Sequence, residues 1–508
     1  MKKNQLKLGV LLSYASTGLN MIIQLIYTPV MIRLLGQSEY GLYTLVGSVV
    51  SYLSLFSLGF AGAYMRFYLR FEEVGDHKAV ARLNGMFLSL FSLLSILALL
   101  CGMILSQFTP QIFGSKLTAD ELSKAELLMQ ILVVNIALTF PSSIFDSMVS
   151  AHEQFIFQRM LNLAGVVFNP LICLPLLLLG YGSVAVVLVT TIITVAKLLV
   201  NIWFCITKLH VRCDFHHFDF LLLKEIASFS FFLFINMIID QINWSVDKFI
   251  LGRVSGTGAV AVYGVGAQIN SIVISFSTAI SSVFAPRVNR IAAKGSDSMN
   301  HEFTRLFTKV GRWQFLILGL ISSGFIVFGQ YFITNIYATT EYALAYPVAL
   351  LLVLPAMIPL IQNIGIEIQR AVNKHKVRSV VYLLMAITNV ILSVPLAYKF
   401  GPVGSALGTA ISFLVANGLI MNIYYHKAVG INIPYFWSNI LSMAKGFILP
   451  AVSAFLIMAF IRFRGVLDFL VWCVVYTGLY ILSFWRFGMN MNERDVILKP
   501  LKKFKKRH

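Results

Sequence analysis

Asn236, Asp240, Asn243 and Asp247 recur at spacings of four, three and four inside an otherwise apolar stretch. On an α-helix this spacing puts all four on one stripe about three turns long. A second apolar stretch carries Asn20, Gln24, Tyr27 and Met31 in the same spacing, preceded by Ser13, Ser16 and Thr17. Lys197 is a lone cation within a third. Amides suit hydroxyl-rich ligands, carboxylates suit protons or cations, and an ammonium suits phosphate. No Gly-Lys-Ser/Thr loop is present to cradle a nucleotide phosphate. The five cysteines lack metal-ligand spacing, and His216-His217 reads as a solvated loop pair. The chemistry on offer is recognition, with no catalytic residue, metal or cofactor expected.

The elements that hold these residues follow from composition. Of 508 residues, 58% are apolar and 12% are charged, with 41 Phe. Soluble domains carry about 25% charge, and a mean hydropathy of +0.81 excludes a soluble enzyme, a disordered chain and a fibrous repeat. The expected class is an all-α polytopic membrane protein. With about 20 residues per crossing, the runs at 8–32, 41–65, 85–106, 126–149, 161–180, 182–206 and 226–250 read as spans one to seven. Those at 259–283, 313–337, 345–367, 379–398, 403–426, 446–463 and 466–487 complete fourteen. The first is long and lacks a cleavage site, so it reads as a retained helix.

Charge fixes orientation. With the N-terminus cytoplasmic, 30 of the 40 Lys and Arg fall on the inner side, eight on the outer and two within spans. The inner set includes Arg66, Arg70, Arg287 and Arg290; the outer set includes Arg33 and Lys248. That asymmetry is the positive-inside pattern expected of fourteen spans with both termini cytoplasmic. It also explains the net charge of +19 without nucleic acid, the basic tail being an anionic-lipid anchor.

The chain repeats itself. Asn20 to Gly36 and Asn236 to Gly252 are matching intervals at an offset of 216. Asn169–Pro175 recurs as Asn389–Pro395 at 220, and Pro141 as Pro359 at 218. The expected organisation is a six-helix bundle over 1–212, a second over 213–430, two further spans over 431–488 and a tail over 489–508. Six is even, so the halves run parallel about an axis along the membrane normal, leaving a central cleft as in secondary transporters.

Polar residues within a bilayer cost a few kcal/mol and are functional candidates by default, weighed against simple interhelical hydrogen bonds. Asn20, Gln24, Asn236, Asn243 and Gln268 are expected to line the cleft, with Arg66 at its inner mouth and Lys197 facing a water-filled cavity or a partner carboxylate. Asp240, Asp247 and Asp146 are the expected coupling or gating carboxylates for an ion, H⁺ or Na⁺. For Asp247 an interfacial anchor, and for Asp146 a solvated helix end, are the plainer readings.

The junction Pro29-Val-Met-Ile-Arg-Leu-Leu-Gly-Gln-Ser-Glu-Tyr-Gly-Leu-Tyr43 resembles the opening signature of bacterial Wzx-like polysaccharide flippases. Leu58-Gly59 with Arg66-Phe67, and Asp247-Lys-Phe-Ile-Leu-Gly252 with Ala261-Val-Tyr263, are similar to later junctions of that family. Ser57 stands where many members have Asp before Leu-Gly. The resemblance covers the whole chain and places it in the multidrug/oligosaccharidyl-lipid/polysaccharide exporter superfamily. It implies movement of an undecaprenyl-diphosphate-linked oligosaccharide between leaflets, for O-antigen, capsule or exopolysaccharide synthesis. Membrane lipids, a polymerase and glycosyltransferases are the implied partners. A lipid II flippase, a drug/cation antiporter and a non-transporting scaffold are the rivals.

Asp240 lies about fourteen residues into its span, near mid-membrane at ~1.5 Å per residue, and its counterpart Gln24 cannot titrate. Asp240→Asn keeps shape and hydrogen bonding but removes the titration. Flipping by this variant should lose its dependence on pH or sodium; wild-type dependence would leave Asp240 a hydrogen-bonding residue only.

Overall fold

A computed structural model describes residues 2–215, 219–294, 298–374, 376–496 and 498; His216, His217 and residues 499–508 of the tail lie outside them. The described residues are overwhelmingly helical and contain no strand. By their contacts they form two compact units, Met1–Gly264 with Ala397–Pro402, and Val265–Leu396 with Val403–His508.

The first unit holds α1 (Lys2–Val50), α2 (Phe60–Val74), α3 (His77–Gln107), α4 (Thr109–Phe113) and α5 (Ala119–Ala151). It continues with α6 (Phe155–Leu178), α7 (Gly182–Thr207), α8 (Phe220–Ser255) and the start of α9 (Thr257–Ser282). The second holds α10 (Ala285–Lys294), α11 (Met299–Tyr331), α12 (Ala345–Ile361), α13 (Ile364–Ala371) and most of α14 (Lys376–Phe413). It ends with α15 (Met421–Tyr424), α16 (Ile433–Ser442), α17 (Ile448–Phe460) and α18 (Val466–Ser483).

Helix starts obey capping chemistry. Asp76 accepts from the Ala79 amide to begin α3, and Asp219 from Leu222 to begin α8. Thr118 and Glu121 form a reciprocal capping box at α5, so the first amides of these helices are satisfied by side chains.

Among the described residues, ten helical stretches are long and apolar enough to cross a bilayer, and two bent pairs bring the number to twelve. Two of the ten, Gly18–Val74 and Lys376–Val429, run for 57 and 54 residues, about twice or more what one crossing needs. Each contains a glycine outside helical geometry, Gly36 (φ 75°) and Gly401 (φ 58°), in the left-handed region that glycine reaches without cost. The fourteen spans read from the sequence require the chain to turn back at both glycines.

Between α1 and α2 the chain tightens into a 3₁₀ segment, Ser51–Ser57, ending at Leu58 and Gly59 with φ of 50° and 71°. Ser48, Ser51 and Ser54 each donate to the carbonyl three residues earlier, at 2.6–2.7 Å. The hydroxyls thus satisfy backbone groups in a geometry that rarely runs beyond four residues. The core beneath it is aromatic, with Tyr64 against Phe87 edge-on at 5.3 Å and Phe91 against Phe140.

In the second unit Arg312, one residue before the span read at 313–337, is only 6% exposed and pairs in fork fashion with Glu493 at 2.6 and 2.9 Å. Its remaining donors go to the carbonyls of Asn439 and Gly488 and to Ser442 Oγ. One guanidinium thereby fastens α11 to the C-terminal end of α16 and to the segment that follows α18. Removing one partner of such a buried pair strands the other charge, at a cost of about 3–5 kcal/mol. Glu493→Ala should lower the thermal midpoint of the detergent-solubilised protein markedly, and Arg312→Met/Glu493→Leu should recover most of the loss. A double variant no more stable than the single one would contradict this.

Candidate functional site

The stripe on α8 forms as its spacing requires, and its four members sit in different surroundings. Asp247 is 2% exposed and accepts from Tyr263 Oη at 2.9 Å, joining α8 to α9. Asn236 and Asn243 are half-buried, and Asp240 is exposed on the protein surface. Between Asn243 and Asp247, Ser245 receives a hydrogen bond from Gln241 at 2.7 Å, and Gln241 also donates to Ser51 Oγ of the 3₁₀ segment. Gln241 therefore ties the stripe's helix to the chain between α1 and α2. Lower on α8 the helix bends by 47° between Ser228 and Leu233. Gly59 lies in that bend, where a Cβ would press on Leu233 Cβ and the Ser230 carbonyl. Beyond it Arg70 and Glu225 pair at 3.0 Å on the surface.

On α1, Asn20 and Gln24 are half-buried; Arg33 and Arg66 are exposed. Gln268 is half-buried on α9 in the second unit, one residue before the buried Ile269.

Lys197 belongs to a constellation that sequence inspection only touched. Thr190, Thr194, Lys197 and Asn201 occupy one stripe of α7 at spacings of four, three and four. Asn169 of α6 donates to Thr190 at 3.2 Å, and Asn135 of α5 donates to Thr194 at 3.0 Å. Lys197 Nζ donates to Asn162 of α6 at 3.4 Å, and Asn201 donates to Asp146 Oδ1 of α5 at 2.8 Å. The rungs alternate between α6 and α5, so this polar face is consumed inside the first unit. The Lys197 stem runs over Gly165, where any Cβ would collide with it. The second unit repeats the topmost rung. There Thr409 donates to Asn389 at 3.2 Å, with Ser393 donating to the same amide oxygen at 2.8 Å. Asn169 and Asn389 are the pair that the sequence repeat matched.

A second network, at the α1 break, was absent from the sequence-derived set. Glu39 Oε1 accepts from Lys124 Nζ at 2.8 Å, the Ser183 amide at 2.7 Å and Ser183 Oγ at 2.8 Å. The carboxylate thus caps α7 from another helix, where the dipole favours an anion. Beside it Glu121 Oε1 accepts from Ser38 at 2.5 Å and Thr257 at 2.8 Å. The available signals were the Ser-Glu pair of the junction motif and the Thr118-x-x-Glu121 capping pattern.

Among the described residues no three His, Cys, Asp or Glu are grouped to hold a metal ion. In the second unit α9, α11, α12 and α18 line an open apolar pocket of about 300 Å³ walled by Phe325, Phe328, Phe332, Phe469 and Tyr476.

A family model described as "polysaccharide biosynthesis protein" matches residues 6–292. A Shigella flexneri protein named as a putative O-antigen transporter is 21% identical over 77% of this chain and 91% of its own length. Among solved structures, a lipid II flippase, MurJ, in an inward closed conformation aligns with a TM-score of 0.72 at 16% identity, covering 97% of this chain and 99% of that one. An inward-facing multidrug transporter of the MATE family aligns at 0.60 and 12% identity, covering 83% and 99%. At these identities the structural likenesses establish the fold. These similar proteins are transporters and flippases rather than enzymes.

Gly182 has a φ of 61°, and a Cβ there would run into the Glu39 carboxylate. Gly182→Ala should destabilise by about 1–2 kcal/mol from backbone strain alone, and more through loss of the Glu39 contacts. Glu39→Ala in that background should add little in a thermal unfolding assay; fully additive losses would show the two act separately.

Proposed function

The chain belongs to the polysaccharide biosynthesis protein family, and we propose that it is a flippase of lipid-linked oligosaccharide. In this reading an undecaprenyl-diphosphate-linked repeat unit passes from the inner to the outer leaflet of the bacterial cytoplasmic membrane. It supplies surface polysaccharide such as O-antigen, capsule or exopolysaccharide, beside a polymerase and glycosyltransferases. The single observation that carries the reading is the family match over residues 6–292, more than half of the chain.

The residues are consistent with it. Two six-helix halves, 1–212 and 213–430, would alternate access about a central cleft, with 431–488 appended and both termini cytoplasmic. Asn20, Gln24, Asn236, Asn243 and Gln268 are the amides assigned to sugar hydroxyls, being half-buried rather than fully enclosed. Arg33 and Arg66, exposed and permanently charged, are assigned to the diphosphate. Lys197 is the third cation of that set by sequence, although its contacts favour another use. Asp240 and Asp247 are assigned to coupling or gating. Asp247 acts through its bond to Tyr263, which links two helices that alternating access must move.

Purified protein in liposomes should expose fluorescently labelled polyprenyl-diphosphate oligosaccharide to an external glycan-modifying enzyme, well above the rate of empty vesicles. Arg33→Gln/Arg66→Gln should cut that rate at least tenfold with unchanged membrane levels. No exposure above background would overturn the reading in favour of a scaffold. Exposure of lipid II alone would move the protein to peptidoglycan synthesis.

A further inference from the structure

Residues 208–215, between the two sequence repeats, are fastened to the first unit. After α7 the chain folds back: Leu209 N–H donates to the Phe204 carbonyl at 3.2 Å, and Val211 N–H to the Cys205 carbonyl at 3.0 Å. It then runs over α3. There the Asp214 amide donates to the Ala81 carbonyl at 2.9 Å, and Asn84 Nδ2 donates to the Arg212 carbonyl at 3.0 Å. Gly85 makes room for this crossing, since a Cβ there would fall on the Asp214 carbonyl. Leu209, Val211 and Cys213 pack against the aromatic core that α2 and α3 share. His210 has a φ of 50°, a left-handed conformation that is strained for side chains other than glycine.

Asn84 is the pivot of the contact. It is 2% exposed, and while its nitrogen holds the Arg212 carbonyl, its Oδ1 accepts from Tyr64 Oη of α2 at 2.6 Å. Tyr64 is itself fully buried and meets Phe87 edge-on. A shift of α2 that withdraws the hydroxyl would strand a buried acceptor, and the amide would have to turn to recover a donor.

We propose that residues 208–215 are a strap with docked and released states, and that Tyr64 of α2 sets the balance between them through Asn84. Movement of α2 is thereby reported at the exposed Arg212 and the half-buried Cys213. In the docked state burial pushes the Cys213 thiol up, so the thiolate that reacts with alkylating agents is scarce. Release uncovers the sulfur and removes that penalty. Nothing in the device rests on the flippase reading.

The test uses full-length protein in nanodiscs without substrate. Peptide mass mapping follows two rates: alkylation of Cys213 by a charged maleimide, and tryptic cleavage after Arg212. Wild type should react slowly at both. Tyr64→Phe keeps the ring and its packing and should raise both rates by about fivefold or more. Asn84→Ala should raise them as much, and adding Tyr64→Phe to it should change little, because the two act through one bond. Gly85→Ala should lift the strap by a separate route and raise both rates, which keeps the proposal testable if Asn84→Ala misfolds. Tyr68, one turn further along α2, gives the comparison: its Oη meets His152 Nε2 at 3.4 Å instead. Tyr68→Phe should therefore leave both rates at the wild-type value, with thermal midpoints showing that each variant is folded. Wild-type rates in Tyr64→Phe, equal rises in Tyr64→Phe and Tyr68→Phe, additive gains in the double variant, or fast reaction in wild type would each overturn the proposal.

Discussion

Hydrocarbon gives a polar group no partner, and this constraint governs how the helices assemble. Each amide, hydroxyl or charge on a spanning helix must be matched by the protein or by water held within it. The α7 ladder is the fullest case: four polar side chains on one face meet four partners drawn alternately from α6 and α5. Such pairs are individually worth about 0.6–2 kcal/mol in membranes. Their greater effect is to fix rotation, because turning α7 by one residue about its axis would strand all four at once. The serine hydroxyls of the 3₁₀ segment answer the same demand for the backbone, and Arg312 answers it for a full charge.

The same constraint explains what the sequence reveals. Helical class and rough span positions are legible because apolar runs of bilayer length have few alternative uses. The α8 stripe is legible because amides and carboxylates stand out against Phe, Ile and Leu at helical spacing. The equal spacing on α7 hides two threonines, common in membrane helices, so Lys197 stands alone when read along the chain. Its orientation toward Asn162 and Gly165 depends on which face α6 presents, which local spacing does not encode. Arg312 and Glu493 are 181 residues apart, and hydropathy alone does not distinguish a loop arginine from one buried by a distant helix. Glu39 is similar: its motif signals a junction, but its partners Lys124 and Ser183 come from two later helices.

The sequence repeat has a counterpart in the contacts of its two matched asparagines. Asn169 and Asn389, 220 residues apart, each bond a threonine on the following helical segment at 3.2 Å. The surroundings of the two contacts differ. The first continues into a carboxylate and an ammonium; the second is flanked by Ser393 and the Ser405 carbonyl.

The seven residues Ser51–Ser57 also set a mechanical property. A 3₁₀ turn rises about 2.0 Å per residue against 1.5 Å in an α-helix, and winds about 120° per residue against 100°. Converting this segment to α geometry would shorten it by about 3.5 Å and unwind it by about 140°. The hydroxyls that now hold carbonyls three residues back would be released to new partners, including Gln241, which already reaches Ser51. Because α2 follows directly after Leu58 and Gly59, it would be drawn along its own axis and rotated in the same movement. The segment thus has the geometry of a screw thread, coupling the advance of α2 to a change in the face it presents.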